Sequence, residues 1–241
     1  MWIARIGVAV GLFGLLLTAL AANEVSYKAA DGVTVYASYA QAKAKSRGLI
    51  VLFHQADASR AEYARIAPRL NAMGFATLAV DQRSGGNLFG GTNKTAAGFG
   101  KSASYLDALP DLEASVTFAR TNLKSNRVIV WGSSYSSALV FLLAAKMGGD
   151  VAGVLSFSPD EYLGGPSLVR DAAKKVSVPV FITSALGEVT PARNILDAVA
   201  SKDKVQFLPK GFGLHGSSAL DNGKASDEYW VALETFLNRY K

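Results

Sequence analysis

A mostly parallel β-sheet with helices on both faces is the α/β fold that this chain predicts, and three observations carry the prediction. Five short apolar runs, Leu49 to Phe53, Ala76 to Val80, Val128 to Trp131, Val151 to Phe157 and Val178 to Thr183, read as strands covered on both sides. Segments with helical start and stop signals separate most of them. The strands and helices alternate at the spacing of β-α-β units, with no internal repeat and no sign of a second domain.

The elements follow in order. Arg5 opens a short basic region, Ile6 to Ala22 is apolar throughout, and Ala19-Leu20-Ala21 puts small residues where a signal peptidase cuts. Residues 1–22 therefore read as a secretory leader, which implies an exported protein, periplasmic or secreted, whose domain is 23–241. The apolar run is at the short limit for crossing a bilayer, so an uncleaved anchor is the alternative. Residues 25–30 and 33–40 alternate around Asp31-Gly32, a hairpin with a DG turn. Ser59-Arg60-Ala61-Glu62 has the pattern of a capping box and opens a helix ending near Asn71. Residues 84–100 are rich in Gly, Ser, Asn and Thr and read as a long surface loop. Helices are expected over Pro110 to Asn122, with proline in the first turn, and over Ala138 to Met147, ending at Gly148-Gly149. Brief helices follow near Ser167 to Lys174 and Pro191 to Ala200. Lys204 to Leu208 is a last strand, and Asp227 to Tyr240 an amphipathic helix with Ser226 as N-cap.

Composition narrows the chemistry. The chain has no cysteine, which excludes thiolate catalysis, disulfides and cysteine-bound metals. Its two histidines, His54 and His215, form no close pair, so no metal is expected. The net charge of +6 is scattered, without the basic stripe of a nucleic-acid binder. Gly211 to Gly216 spells GxGxxG but has no β-α-β unit after it, so no dinucleotide and no other cofactor is expected.

In an open parallel sheet, ligands bind beyond the carboxyl ends of the strands. There the strand Val128 to Trp131 runs into Gly132-Ser133-Ser134-Tyr135-Ser136 and then a helix. A sharp strand-to-helix turn holds a serine hydroxyl clear of the backbone, which nominates Ser134 as a nucleophile, although Ser136 stands where a second glycine is usual. A serine hydroxyl needs a base. His215, in a glycine-rich loop after the last strand, suits that role; His54, after the first buried strand, suits loop bracing. Glu188 in Gly187-Glu188-Val189-Thr190-Pro191 is the favoured acid to orient the base, with Asp160 as the alternative. An oxyanion requires two aimed amides. Tyr135, at a helix start, supplies one, and Gln55 or Ala56 the other.

The order Ser134, Glu188, His215 on this alternation resembles the α/β-hydrolase superfamily over nearly all of 23–241. Leu52-Phe53-His54-Gln55-Ala56 is similar to its His-Gly oxyanion segment, Ala76 to Arg83 to its strand ending in Asp-x-Arg, and Glu188-x-x-Pro191 to its acid loop. With no cap inserted between Phe157 and Val178, the chain looks most like the dienelactone-hydrolase-like, carboxylesterase-like branch. The departures are Gln55 for glycine, Ser136 for glycine, glutamate for the commoner aspartate, and a serine where dienelactone hydrolase itself uses cysteine. The resemblance implies an eight-stranded sheet, a small-molecule ester substrate, and Ala56 and Tyr135 as oxyanion donors. A peptidase or amidase on the same fold, and a binding protein that has kept the fold, are the other readings.

Overall fold

A computed structural model of the protein describes residues 22–221 and 223–241. The leader expected over 1–22 lies, but for Ala22, outside the described residues. Among these residues eight strands form one sheet: β1 (Asn23–Lys28), β2 (Thr34–Ala40), β3 (Gly48–Phe53), β4 (Phe75–Asp81), β5 (Val128–Ser133), β6 (Gly153–Phe157), β7 (Val180–Thr183) and β8 (Lys204–Phe207). Their order is β1-β2-β4-β3-β5-β6-β7-β8. The β1–β2 hairpin and the β2–β4 pair are antiparallel, and all other pairs are parallel.

Alternation along each strand divides the core. Ile50, Leu52, Ile129 and Trp131 face one side, where they meet α1 (Ile66–Ala72) and α7 (Asp227–Leu237) through Ile66, Leu70, Leu233 and Phe236. Leu49, Val51, Phe53 and Val130 face the other side. There they meet α3 (Leu109–Thr121), α4 (Tyr135–Met147), α5 (Leu168–Ala173) and α6 (Val189–Ala198). Both faces of β3 to β7 are thus dry, which explains their unbroken apolar sequences.

Register matters most for the site. Phe53 pairs with Gly132, Ser133 with Phe157, Phe157 with Thr183, and Thr183 with Phe207. The five parallel strands β3, β5, β6, β7 and β8 end nearly level, so the residues that follow them share one rim.

Three local expectations are corrected. The loop over 84–100 contains a short helix, α2 (Lys94–Phe99), whose first turn is capped by Asn93 Oδ1 accepting the Ala96 amide. Ser59 does cap a turn, by accepting the Ala61 amide, but the turn is a 3-10 helix over Arg60–Tyr63 and α1 begins separately at Ile66. Glu62 makes no reciprocal capping bond; its carboxyl turns inward. Ser226 precedes α7 without capping it, because its hydroxyl donates to Gly223 O instead. For Glu62 and Ser226 a tertiary or alternative local partner outcompetes the cap.

Candidate active site

The residues singled out at the strand ends meet at this rim. Ser134 lies between β5 and α4 with φ 55° and ψ −124°, a conformation that a side chain with a Cβ rarely adopts. Its amide donates to Phe157 O at 2.9 Å, and its carbonyl accepts the Ser137 amide at 2.8 Å and the Ser137 hydroxyl. These bonds hold the strained turn. The turn is tight enough that a Cβ on Gly132 would lie 2.1 Å from Ser136 O, so glycine is required there. Ser136, the departure from the usual glycine, creates no misfit. Its hydroxyl donates to His54 O at 2.6 Å and accepts from Gln82 Nε2 at 2.8 Å, both within the interior.

His215 Nε2 lies 2.7 Å from Ser134 Oγ, and His215 Nδ1 lies 2.5 Å from Glu188 Oε1. The carboxylate only accepts, so Nδ1 carries the proton and Nε2 is free to accept from the serine. Glu188 Oε2 accepts the Ala185 amide, and the Leu186 amide donates to Phe212 O, so the loops after β7 and β8 are tied together. Burial pushes the Glu188 carboxyl up, but hydrogen bonds from His215 and Ser158 outweigh it and hold the group below its ordinary value. The Glu188 hydrogen bond raises His215 above the ordinary histidine value, against the pull of burial. Asp160 is not brought to the imidazole; its Oδ1 accepts the Glu161 amide at 2.8 Å.

His54 is fully buried and belongs to the loop after β3. Its Nδ1 donates to Gln55 O, and its Nε2 accepts from the Gln82 amide at 3.0 Å and from Asn93. Burial lowers it to about 4, so it is a neutral brace. The Gln55 amide is already committed, donating to Glu62 Oε2 at 2.7 Å. Among the described residues the Ala56 and Tyr135 amides donate to no protein acceptor. Tyr135 N belongs to the first turn of α4, where amides are free of intrahelical partners.

The sequence did not mark several supporting residues. Ser158, with φ 61°, accepts the Gly216 amide through Oγ and so anchors the residue next to His215. Gln82 links Tyr135 Oη, at 3.0 Å, to Ser136. Gln82 falls inside the Asp-x-Arg stretch, but nothing local announces its partners. Beside the elbow, Tyr105 stacks on Tyr135 at 4.3 Å, and a cleft of 340 Å³ opens between Tyr105-Leu106 and Tyr162-Leu163. That cleft reaches the elbow only through the Tyr105–Tyr135 stack; neither its wall nor that of a larger cavity of 510 Å³, by α1 and β2, includes Ser134, Glu188 or His215.

A hydroxyl, an imidazole and a carboxylate in one hydrogen-bonded row, at the carboxyl rim of an eight-stranded sheet, define an α/β-hydrolase. Residues 44–207 match the family model described as serine aminopeptidase, S33, and the chain belongs to that hydrolase family. Solved structures share the fold. An esterase of Pyrococcus furiosus superposes with a TM-score of 0.71 at 18% identity, covering 98% of this chain and 99% of its own. The dienelactone hydrolase of Anabaena variabilis gives 0.72 at 15%, covering 92% and 99%. A thermostable carboxyl esterase of Bacillus coagulans gives 0.69 at 14%, covering 92% and 99%. No curated protein matches the chain.

Proposed function

We propose that the protein is an exported serine hydrolase that cleaves small carboxylic esters through an acyl-enzyme on Ser134. The observation that carries this reading is the unbroken row Ser134 Oγ, His215 Nε2, His215 Nδ1, Glu188 Oε1. His215 takes the hydroxyl proton as Ser134 Oγ attacks the ester carbonyl. Glu188 holds the imidazole in the tautomer that can accept, and offsets the positive charge it gains. The oxygen of the tetrahedral intermediate is held by the Ala56 and Tyr135 amides, both free to donate. His215 then protonates the departing alkoxide, and water resolves the acyl-enzyme by the same steps. The cleft between Tyr105 and Tyr162 suits a small apolar acyl or alcohol group. No metal or cofactor enters any step.

Export rests on the leader-like sequence of residues 1–22, and its test is the mass of the mature protein, with cleavage placed after Ala21. Ester chemistry is favoured because the fold's solved neighbours include esterases. Peptide or amide cleavage is the second reading, favoured by the description of the matched family. A fluorophosphonate probe should modify the protein at Ser134, and p-nitrophenyl acetate should turn over faster than an aminoacyl p-nitroanilide. An unmodified Ser134 would defeat the serine-hydrolase reading; a faster anilide would replace the ester with the amide.

A further inference from the structure

Glu62 is a buried carboxyl that the steps above do not use. It is 7% exposed, and among the described residues no lysine or arginine pairs with it. Its own turn offers a cation, Arg60, but that guanidinium is drawn away to Glu24 and Asp81. A carboxylate buried without a countercharge is costly, so the bonds it makes must be specific.

Those bonds join three loops of the site. Glu62 Oε2 accepts the Gln55 amide, immediately before Ala56, at 2.7 Å. Glu62 Oε1 accepts the Ser133 hydroxyl, immediately before Ser134, at 2.7 Å. Ser133 Oγ in turn accepts the Ser217 amide at 2.8 Å, two residues beyond His215. The contact is close-packed: a Cβ on Gly216 would lie 2.5 Å from Ser133 Oγ. By occupying the Gln55 amide, Glu62 leaves the next one, Ala56, to point elsewhere.

We infer that Glu62 is a positioning residue. It holds the oxyanion loop, the nucleophile turn and the base loop in register, and its negative charge supports the imidazolium that forms on His215. This inference rests on the serine-hydrolase reading. The titratable groups facing Glu62 are His215, from the loop after β8, and Tyr63 beside it; β3 and β5 present only the uncharged Gln55 and Ser133. Burial raises the Glu62 carboxyl to about 7, and its hydrogen bonds from Ser133 and Gln55 oppose that rise. Glu62 in its charged form also helps raise His215. Each proton that arrives impairs the site: on His215 it removes the base, on Glu62 the supporting charge.

The test compares wild type, Glu62→Gln, Ser133→Ala and Ser134→Ala as full chains, with p-nitrophenyl acetate across pH. Glutamine can still accept from Gln55, and its Nε2 can meet Ser133 Oγ with the direction of that bond reversed, so it keeps the contacts and removes the charge. In wild type the acid limb of kcat/KM should be steeper than one proton allows. In Glu62→Gln the limb should move to lower pH and fall to a one-proton slope. Its kcat should drop about tenfold with KM nearly unchanged, less than the hundredfold that loss of an oxyanion donor itself costs. Ser133→Ala removes a donor that favours the charged form of Glu62, so Glu62 should take up its proton, and the acid limb should begin, at higher pH than in wild type. Wild-type kcat and an unmoved limb in folded Glu62→Gln would overturn the inference. Should that variant not fold, an unmoved limb in Ser133→Ala does the same. Activity surviving in Ser134→Ala would instead bring down the serine-hydrolase reading itself.

Discussion

Ser134 keeps a backbone conformation that costs on the order of 1–3 kcal/mol, and the bonds from Phe157 and Ser137 offset it. Such a cost, placed where the hydroxyl meets His215, is what a nucleophile's turn requires. Ser134→Ala should lower kcat for p-nitrophenyl acetate by about 10⁴-fold or more while leaving thermal unfolding within a few degrees of wild type. Glu188→Gln should cost far more activity than Asp160→Asn, because only Glu188 reaches the imidazole; kinetics of the two variants decide the acid. His215 must be neutral to accept a proton, and Glu188 raises it. The acid limb of the pH–rate profile should therefore lie above the ordinary histidine value of 6.5, and Glu188→Gln should move it down. Ser134 and His215 were legible because a motif and a short roster of histidines single them out. Glu62 was not: Ser-x-x-Glu is the local signature of a cap, and only the tertiary approach of Gln55 and Ser133 gave its carboxyl better partners.

The decisive element is the β5–Ser134–α4 unit. Gly132 lets the first turn of α4 pack onto the end of β5 with its carbonyl almost in contact with the strand, and Ser136 secures that turn to the loop after β3. Gly132→Ala should destabilise the protein by about 3 kcal/mol and abolish esterase activity, since backbone rather than a flexible side chain must give way. Urea unfolding and p-nitrophenyl acetate turnover on the same sample check both parts. The buried strands were readable because β3 to β7 have helices on both faces and so carry continuous apolar sequence. Short elements were harder. Helix α2 has only six residues and is capped by Asn93, a residue that serves loops as readily as helices.

At the scale of the molecule, level strand ends place β3, β5, β7 and β8 loops on one rim, and buried polar groups lock that rim to the sheet. Arg83, which follows β4, bonds Asp111 of α3 through both its side chain and its amide, and pairs with Asp31 of the hairpin turn. Burial pushes Asp111 up, and Arg83 keeps it paired. Asp111→Ala should cost about 1–3 kcal/mol in urea unfolding, because the Arg83 amide and Nε lose their buried acceptor while Asp31 still pairs with the guanidinium. His54 is neutral when folded, held at about 4 against 6.5, so its share of stability is full above 6.5 and is lost as pH falls towards 4. That share is on the order of 3 kcal/mol. Glu62, raised by burial, acts in the opposite sense, gaining stability as pH falls through 7. Unfolding free energies measured between pH 7 and 4 should therefore slope less in His54→Gln than in wild type. By itself the sequence determined the alternating architecture and named Ser134 and His215, because periodicity, a strand-to-helix turn and the scarcity of histidine are properties of the chain alone. Only the tertiary structure decided Glu188 over Asp160 as the imidazole's partner, left the Ala56 amide free where Gln55 is occupied, and turned Glu62 inward. Those choices depend on which groups lie within about 3 Å across distant segments, and spacing along the chain does not encode that distance.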